Sequence, residues 1–111
     1  MTAQSRIEIP ADHPAFAGHF PQFPVLPGAV LLDAALQIIQ RARGIDLTQW
    51  KIASAKFLSV VRPGETLCLE HDAPKSGVIR FTIRAAVAER GPADGGRADR
   101  SVASGTLSST V

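Results

Sequence analysis

The chain has little cysteine, few histidines and no long hydrophobic run. Its 111 residues include a single cysteine, Cys68, which excludes an internal disulfide. The three histidines and this cysteine show none of the spacings, such as CxxC or HExxH, that are typical of metal sites, so we expect no bound metal. No apolar run is long enough to cross a bilayer, and the N-terminus has no apolar signal segment. We therefore expect a cytoplasmic protein with no membrane span.

The net charge of the chain is small and unevenly distributed. It is +2 overall, but residues 1–40 have one cation and three acids, whereas residues 41–111 have eleven cations and seven acids. This surplus favours an acidic partner, while the lack of basic runs with interleaved aromatics argues against nucleic acid. The length and the apolar fraction of 45% predict one globular domain, residues 1–111.

Proline is concentrated in one part of the chain, because five of the eight prolines lie between Pro10 and Pro27. Proline fixes φ and cannot donate a hydrogen bond, so this part is predicted to be a loop. A helix is predicted from Gly28 to Arg43, ended by Gly44. The later β signals predict an α+β fold, with an antiparallel sheet wrapped around a long central helix. The predicted strands are residues 6–9, 51–61, 66–72, 78–88 and 101–107, with turns at 62–65 and 74–77.

The predicted helix has apolar residues around almost its whole circumference. Before its last turn the only polar residues are Asp33 and Gln37, one turn apart on the same face. We expect a helix of this kind to be surrounded by protein. A carboxylate is costly to bury unless it is paired, hydrogen-bonded or protonated. Asp33 therefore either caps a backbone N–H across the core or belongs to a functional site.

Two residues near the start of the helix could complete such a site. His19 lies within the stiff, apolar stretch GHFPQFPVLPG, and Gly28 lies where helix N–H groups lack partners and the dipole favours negative charge. A base, an acid and an oxyanion donor suit proton abstraction next to a carbonyl. From residue types alone, His19 could equally be a core histidine bonded to a backbone carbonyl.

The run GHFPQFPVLPGAVLLDAALQ resembles the active-site motif of the hotdog-fold 3-hydroxyacyl-[acyl carrier protein] dehydratases, GHFPGxPVLPGxLxxE/DAxxQ. A second run, KFLSVVRPGETLCLE, resembles the later strand–turn–strand of that family. The resemblance implies a hotdog fold and an enzyme that converts 3-hydroxyacyl thioesters to trans-2-enoyl thioesters with loss of water. It would serve fatty-acid or specialised acyl or polyene biosynthesis. Gln22 and Phe23 depart from the family pattern, and they indicate an altered substrate preference.

The resemblance also implies a role for each matching residue. His19 would take the proton from C2, Asp33 would help the C3 hydroxyl to leave as water, and the Gly28 N–H would hold the thioester carbonyl. Gln37 would orient the Asp33 carboxylate, in a site shared between the two protomers of a homodimer. No cofactor is implied, because the substrate arrives on the phosphopantetheine of acyl carrier protein. Residues that could line the acyl chain, or be ordinary core, are Phe20, Phe23, Val25, Leu26, Phe57 and Leu58.

Two other functions stay open at this point. One is a hotdog acyl thioesterase, which would release a free carrier thiol and no enoyl product. The other is a non-catalytic acyl-binding partner subunit, which would require an obligate homologous partner. Candidate contacts for an acidic carrier protein or its phosphate are Arg41, Arg43, Lys56, Arg62, Arg80 and Arg84. Structural roles are expected for His13, Cys68 and His71.

Overall fold

The computed structural model describes residues 2–9, 12, 26–85 and 100–110. Within these ranges the strands form one antiparallel sheet in the order β1-β3-β4-β5-β2, so β1 and β2 are its edges. One helix packs on a face of this sheet, which confirms the predicted α+β architecture. The elements are β1 (Thr2–Glu8), α1 (Gly28–Arg43), a 3₁₀ turn (Leu47–Gln49), β2 (Trp50–Phe57), β3 (Thr66–Asp72), β4 (Val78–Ala85) and β5 (Arg100–Ser109).

The helix α1 begins and ends where the sequence predicts. Pro27 is its N-cap, and the Pro27 carbonyl accepts from the N–H groups of Val30 and Leu31 at 3.0 and 3.1 Å. At the other end Gly44 has φ 66°, a left-handed conformation that glycine adopts without steric penalty, and its N–H donates to the Gln40 carbonyl. Among the described helices none is both long and apolar enough to cross a bilayer.

The strands differ from their predicted bounds mainly at their ends. β3 matches its prediction, whereas β1 begins at Thr2 because every residue from Thr2 to Glu8 is paired with β3. β2 ends at Phe57 instead of residue 61, because the N–H groups of Leu58 and Ser59 both turn to the Val102 carbonyl and interrupt the ladder. β5 is three residues longer than predicted, and the end predicted for β4 beyond residue 85 lies outside the described residues.

One apolar core lies between α1 and the inner face of the sheet. The helix contributes Leu31, Ala35 and Ile39, which are spaced by four residues and at most 2% exposed. Alternate residues of the strands face them, as the period of a half-buried sheet requires, except where the register shift between β4 and β5 buries both Val102 and Ala103. The strand residues of this core are Ile7, Leu67, Leu69, Ile79, Phe81, Ile83, Ala85, Val102, Ala103 and Leu107.

The opposite side of α1 is exposed in the single chain. Ala29, Asp33, Gln37 and Arg41 form a stripe of exposed residues, again at a spacing of four. The expectation that protein surrounds the helix is therefore wrong for the single chain. The physical reason is that one sheet covers only one side of a helix, so the apolar residues flanking this stripe are only half-buried.

His71 is the only buried polar or charged residue among the described residues, with 1% of its surface exposed. Arg43 donates from Nε to His71 Nδ1 at 3.1 Å and from Nη2 to the His71 carbonyl at 2.8 Å. Because Nδ1 accepts, the neutral ring must carry its proton on Nε2. Burial lowers the pKa of His71, the charge of Arg43 lowers it further, and Asp72 opposes both. His71 is therefore a core residue with the structural role that we expected, and it is hydrogen-bonded to Arg43 in the last turn of α1.

We predict that His71→Gln flattens the pH dependence of stability on the acid side. An unfolded histidine titrates near pH 6.5, whereas native His71 resists protonation, so below that pH the unfolded state binds more protons. The free energy of unfolding should therefore fall as the pH drops from 7 towards the lowered native pKa. Glutamine cannot titrate, and it keeps an acceptor for Arg43. Urea unfolding of both proteins between about pH 5 and 7 tests this, and parallel stability curves would contradict it.

Candidate active site

The beginning of α1 and the end of β2 meet at one place. A Cβ atom built on Gly28 would lie 2.9 Å from Cε1 and 3.0 Å from Cζ of Phe57, so the ring lies directly against the glycine. The Phe57 side of this contact is open, because 50% of the residue is exposed. The first N–H groups of a helix have no intrahelical acceptor. The structure thus brings together a backbone donor and an aromatic wall that the sequence predicts as site residues.

Asp33 and Gln37 lie one turn apart on the exposed stripe of α1. Gln37 Nε2 donates to Asp33 Oδ2 at 2.9 Å, which fixes the direction of the carboxylate. This contact fits the orienting role that the family resemblance implies for Gln37. The catalytic role of Asp33 itself stays a prediction.

Gly28 and Asp33 do not face the same space within one chain. Five residues of an α-helix turn the direction of a side chain by about 140° and advance by about 7.5 Å along the axis. Gly28 is therefore turned towards the end of β2, while Asp33 lies on the stripe that faces away from the sheet. The site shared between two protomers, which the family resemblance implies, stays a prediction.

The remaining predicted site residues divide into three groups. Leu26 is 6% exposed and belongs to the apolar core, so its contacts in the single chain are those of a structural residue. Leu58, by contrast, is 53% exposed beside Phe57. His19, Phe20, Phe23 and Val25 lie outside the described residues.

The segment of residues 58–65, here called the β2–β3 connection, anchors the chain on both sides of residues 10–25. The Leu26 N–H donates to the Val61 carbonyl at 2.8 Å. The Ile9 N–H donates to the Glu65 carbonyl at 3.0 Å, and the Gly64 N–H returns a bond to the Ile9 carbonyl at 2.9 Å. Gly64 has φ 83°, which suits glycine at this turn. The stretch that contains His19 is therefore held at both ends by one connection.

Arg100 fastens this connection to β5, and sequence reasoning missed it. Its Nη1 and Nη2 donate to the two carboxylate oxygens of Glu65, each at 3.0 Å. Nη2 also donates to the Val60 carbonyl at 2.8 Å, and Nε to Ser59 Oγ at 3.1 Å. Glu65 and Arg100 are 35 residues apart, so no spacing or periodicity in the sequence connects them.

Glu65 is held ionised by this arrangement. Burial raises its pKa, but the hydrogen bond from Arg100, the hydrogen bond from the Arg62 N–H and the charges of both residues outweigh burial. The net result is a pKa below the ordinary value. The carboxylate is thus a fixed anchor for the Arg100 guanidinium rather than a proton donor.

Two of the cations proposed for an acidic partner are already engaged. Arg43 binds His71, and Arg84 donates to Glu70 at 2.6 Å on the outer face of the sheet, so neither is retained as a candidate contact for the partner. Arg41, Lys56, Arg62 and Arg80 are exposed. In the part of the chain that the structure describes, no cluster of three or more histidine, cysteine, aspartate or glutamate side chains could hold a metal ion.

Comparison with solved structures establishes the fold. A chain of the dehydratase heterocomplex ApeI:P from Xenorhabdus doucetiae has a TM-score of 0.69 at 22% identity, covering 96% of this chain and 85% of that one. An N-terminal dehydratase from the difficidin assembly line has a TM-score of 0.75 at 17% identity, covering 98% of this chain and 38% of that one. At these identities the likeness shows the fold alone, which is the predicted hotdog fold of dehydratase domains.

Comparison of sequences establishes the family. A 3-hydroxyacyl-[acyl-carrier-protein] dehydratase FabZ of Ruminiclostridium cellulolyticum is 30% identical over 96 residues, which are 78% of this chain and 68% of that protein. The chain spans roughly half to two thirds of the length of the curated relatives that it matches. A family model described as ApeI-like, ApeI dehydratase, matches residues 1–93. Since this match covers most of the chain, the chain belongs to the ApeI-like dehydratase family.

Proposed function

We propose that the protein is a dehydratase that converts 3-hydroxyacyl thioesters of acyl carrier protein to trans-2-enoyl thioesters, with loss of water. It would act in fatty-acid or specialised acyl or polyene biosynthesis. The observation that supports this most is the arrangement along α1. Gly28, at the start of the helix, lies against the Phe57 ring, and the Gln37 amide donates to the Asp33 carboxylate further along the same helix.

In the proposed reaction the protein supplies a base, an acid and an oxyanion donor. The neutral imidazole of His19 takes the proton from C2, and negative charge develops on the thioester oxygen. The Gly28 N–H at the helix N-terminus stabilises that charge. The C3–O bond then breaks, a C2=C3 double bond forms, and the carboxyl group of Asp33 gives its proton to the leaving hydroxyl, producing water. Proton exchange with solvent restores His19 and Asp33.

The proposed active unit is a homodimer with shared sites. Every residue of β2 from Lys51 to Phe57 is exposed, and β2 is an edge of the sheet whose free backbone groups could pair with another strand. Exposed apolar side chains continue this edge at Ile52, Leu58 and Val60. A second copy on this side would cover them. It would also place Asp33 of one chain opposite Gly28 and His19 of the other.

The proposed substrate arrives on a carrier protein, and the chemistry needs no bound cofactor. A phosphopantetheine thioester supplies the reacting carbonyl, and the three protein groups supply both proton transfers. The surplus of cations after residue 40 favours an acidic carrier, and the exposed residues Arg41, Lys56 and Arg62 are candidate contacts. We expect the enzyme to act in the cytoplasm, where this carrier protein would be met.

His19→Ala and Asp33→Asn should each abolish the formation of the trans-2-enoyl product while the oligomeric state stays that of the wild type. The first variant lacks the base, and the second cannot donate the proton that hydroxide needs. The assay is mass spectrometry of 3-hydroxyacyl carrier proteins of several chain types, in which dehydration appears as the loss of one water. Full activity in either variant would refute the proposal. Release of free carrier thiol without an enoyl product would indicate a thioesterase instead.

Gly28→Ala should lower kcat/KM by about 10- to 100-fold, the size of effect expected when a catalytic group is misplaced by an ångström. The new methyl group would meet the Phe57 ring at 2.9 Å, so either the ring or the helix start must move. Phe57→Leu replaces that ring with a smaller side chain. The fall in kcat/KM caused by Gly28→Ala should therefore be smaller in the Phe57→Leu background than in the wild type. Equal losses from Gly28→Ala in both backgrounds would contradict a steric cause.

Ile52→Lys should convert the dimer to monomer and remove activity, since it places a charge on the β2 edge, where Ile52 is 43% exposed in the single chain. The matched control is Gln4→Lys, which adds the same charge to an exposed position of β1, the other edge strand. The control lysine would lie beside Glu70, which already accepts from Gln4. Sedimentation velocity measures the oligomeric state, and a dimeric Ile52→Lys variant would count against the β2 interface.

A further inference from the structure

We propose that Arg100 is a positioning residue of the active site, acting through the β2–β3 connection on Gly28, Phe57 and both ends of the His19 segment. This inference rests on the proposed dehydratase function and adds a specific residue to it. Arg100 is the first residue of β5 and is far in sequence from every residue of the motif. Only contacts in the folded chain link Arg100 to the proposed site.

The guanidinium of Arg100 makes four hydrogen bonds to three residues of the connection, Ser59, Val60 and Glu65. Two further bonds tighten the same segment. Ser59 Oγ donates to the Ser101 carbonyl at 2.9 Å, and the Arg62 N–H donates to Glu65 Oε1 at 2.8 Å. The connection is thereby clamped at its start and at its end.

The β2–β3 connection, which these hydrogen bonds hold, directly contacts or adjoins the proposed site residues. Phe57, whose ring lies against Gly28, immediately precedes the connection. Val61 lies inside it and accepts from Leu26, two residues before Gly28. Glu65 at its end accepts from the Ile9 N–H through its carbonyl. A shift of the connection would therefore move the oxyanion donor, the aromatic wall and both anchors of the His19 segment together.

The geometry requires arginine rather than any cation. Its planar guanidinium binds both carboxylate oxygens of Glu65 and still presents donors to Val60 and Ser59. A lysine ammonium in this position is a point charge on a flexible stem and could not make all these bonds at once. Arg100→Lys therefore keeps the positive charge but removes the planar guanidinium, so it tests the two contributions separately.

The chain contains a matched control in the pair Arg84–Glu70. The side chains of Arg100 and Glu65 are 36% and 23% exposed, and those of Arg84 and Glu70 are 36% and 25% exposed. The Arg84–Glu70 pair lies on the outer face of the sheet, opposite α1, because the neighbouring residues Leu69 and Ile83 face the core. Arg84→Gln thus removes the same charge and a comparable ion pair with no route to the site.

The test compares Arg100→Gln, Arg100→Lys, Glu65→Gln and Arg84→Gln with the wild type. Urea unfolding should show a larger loss of stability for Arg100→Gln, which removes four hydrogen bonds to the connection, than for Arg84→Gln, which removes the bond to Glu70. Steady-state dehydration of a 3-hydroxyacyl carrier protein should show kcat lowered about 10- to 100-fold in Arg100→Gln, with little change in KM, since a misplaced group affects the transition state more than binding. Arg84→Gln should keep the wild-type kcat. Arg100→Lys should be intermediate, and Glu65→Gln should resemble Arg100→Gln.

Amide hydrogen exchange gives a readout that does not depend on activity. In Arg100→Gln the N–H groups of Ile9, Leu26 and Gly64 should exchange faster than in the wild type, whereas Arg84→Gln should leave them unchanged. Equal kcat in Arg100→Gln and Arg84→Gln, or unchanged exchange at these amides, would overturn the inference. If the wild type dehydrated no 3-hydroxyacyl thioester, the proposed function would fail, while the exchange data would still decide whether Arg100 holds the connection.

Discussion

Burial of one stripe of α1 against the sheet is the constraint on which the rest of the structure depends. Once Leu31, Ala35 and Ile39 face the sheet, the helical period turns the stripe that contains Asp33 and Gln37 outwards. The same rotation brings Gly28 to the end of β2. A single packing contact thus gives Gly28 and Asp33 different surroundings within one chain, and the proposed homodimer would bring Asp33 of one chain to Gly28 of the other.

The β2–β3 connection is the second constraint on the proposed site. It spans eight residues and has no regular secondary structure, yet it bonds to the chain at Ile9, at Leu26 and at the start of β5. Irregular segments hold their shape only when their polar groups find partners, and here one guanidinium supplies several of them. The geometry of the proposed site therefore depends on a loop that is itself held by a residue of a distant strand.

Local features of the sequence predicted the helix better than the contacts across the fold. The breaker-free run from Gly28 and the terminating Gly44 set the bounds of α1. The spacing of Asp33 and Gln37 predicted that they share a face, and the family resemblance predicted their contact. Those signals lie within a few residues of one another. The exposure of Asp33 could not be predicted, because an apolar circumference does not reveal whether the covering surface belongs to the same chain. The Arg100–Glu65 pair could not be predicted from the sequence for a related reason, since it joins segments that only the sheet brings together.

The anchoring of Ile9 and Leu26 has a consequence for how this fold can diversify. The two points between which residues 10–25 run are held by backbone bonds to the β2–β3 connection, independently of the side chains in between. Gln22 and Phe23, where the chain departs from the family pattern, fall inside this interval. Because the anchoring groups are backbone atoms outside this interval, substitutions at Gln22 or Phe23, where we expect the substrate preference to lie, remove none of them.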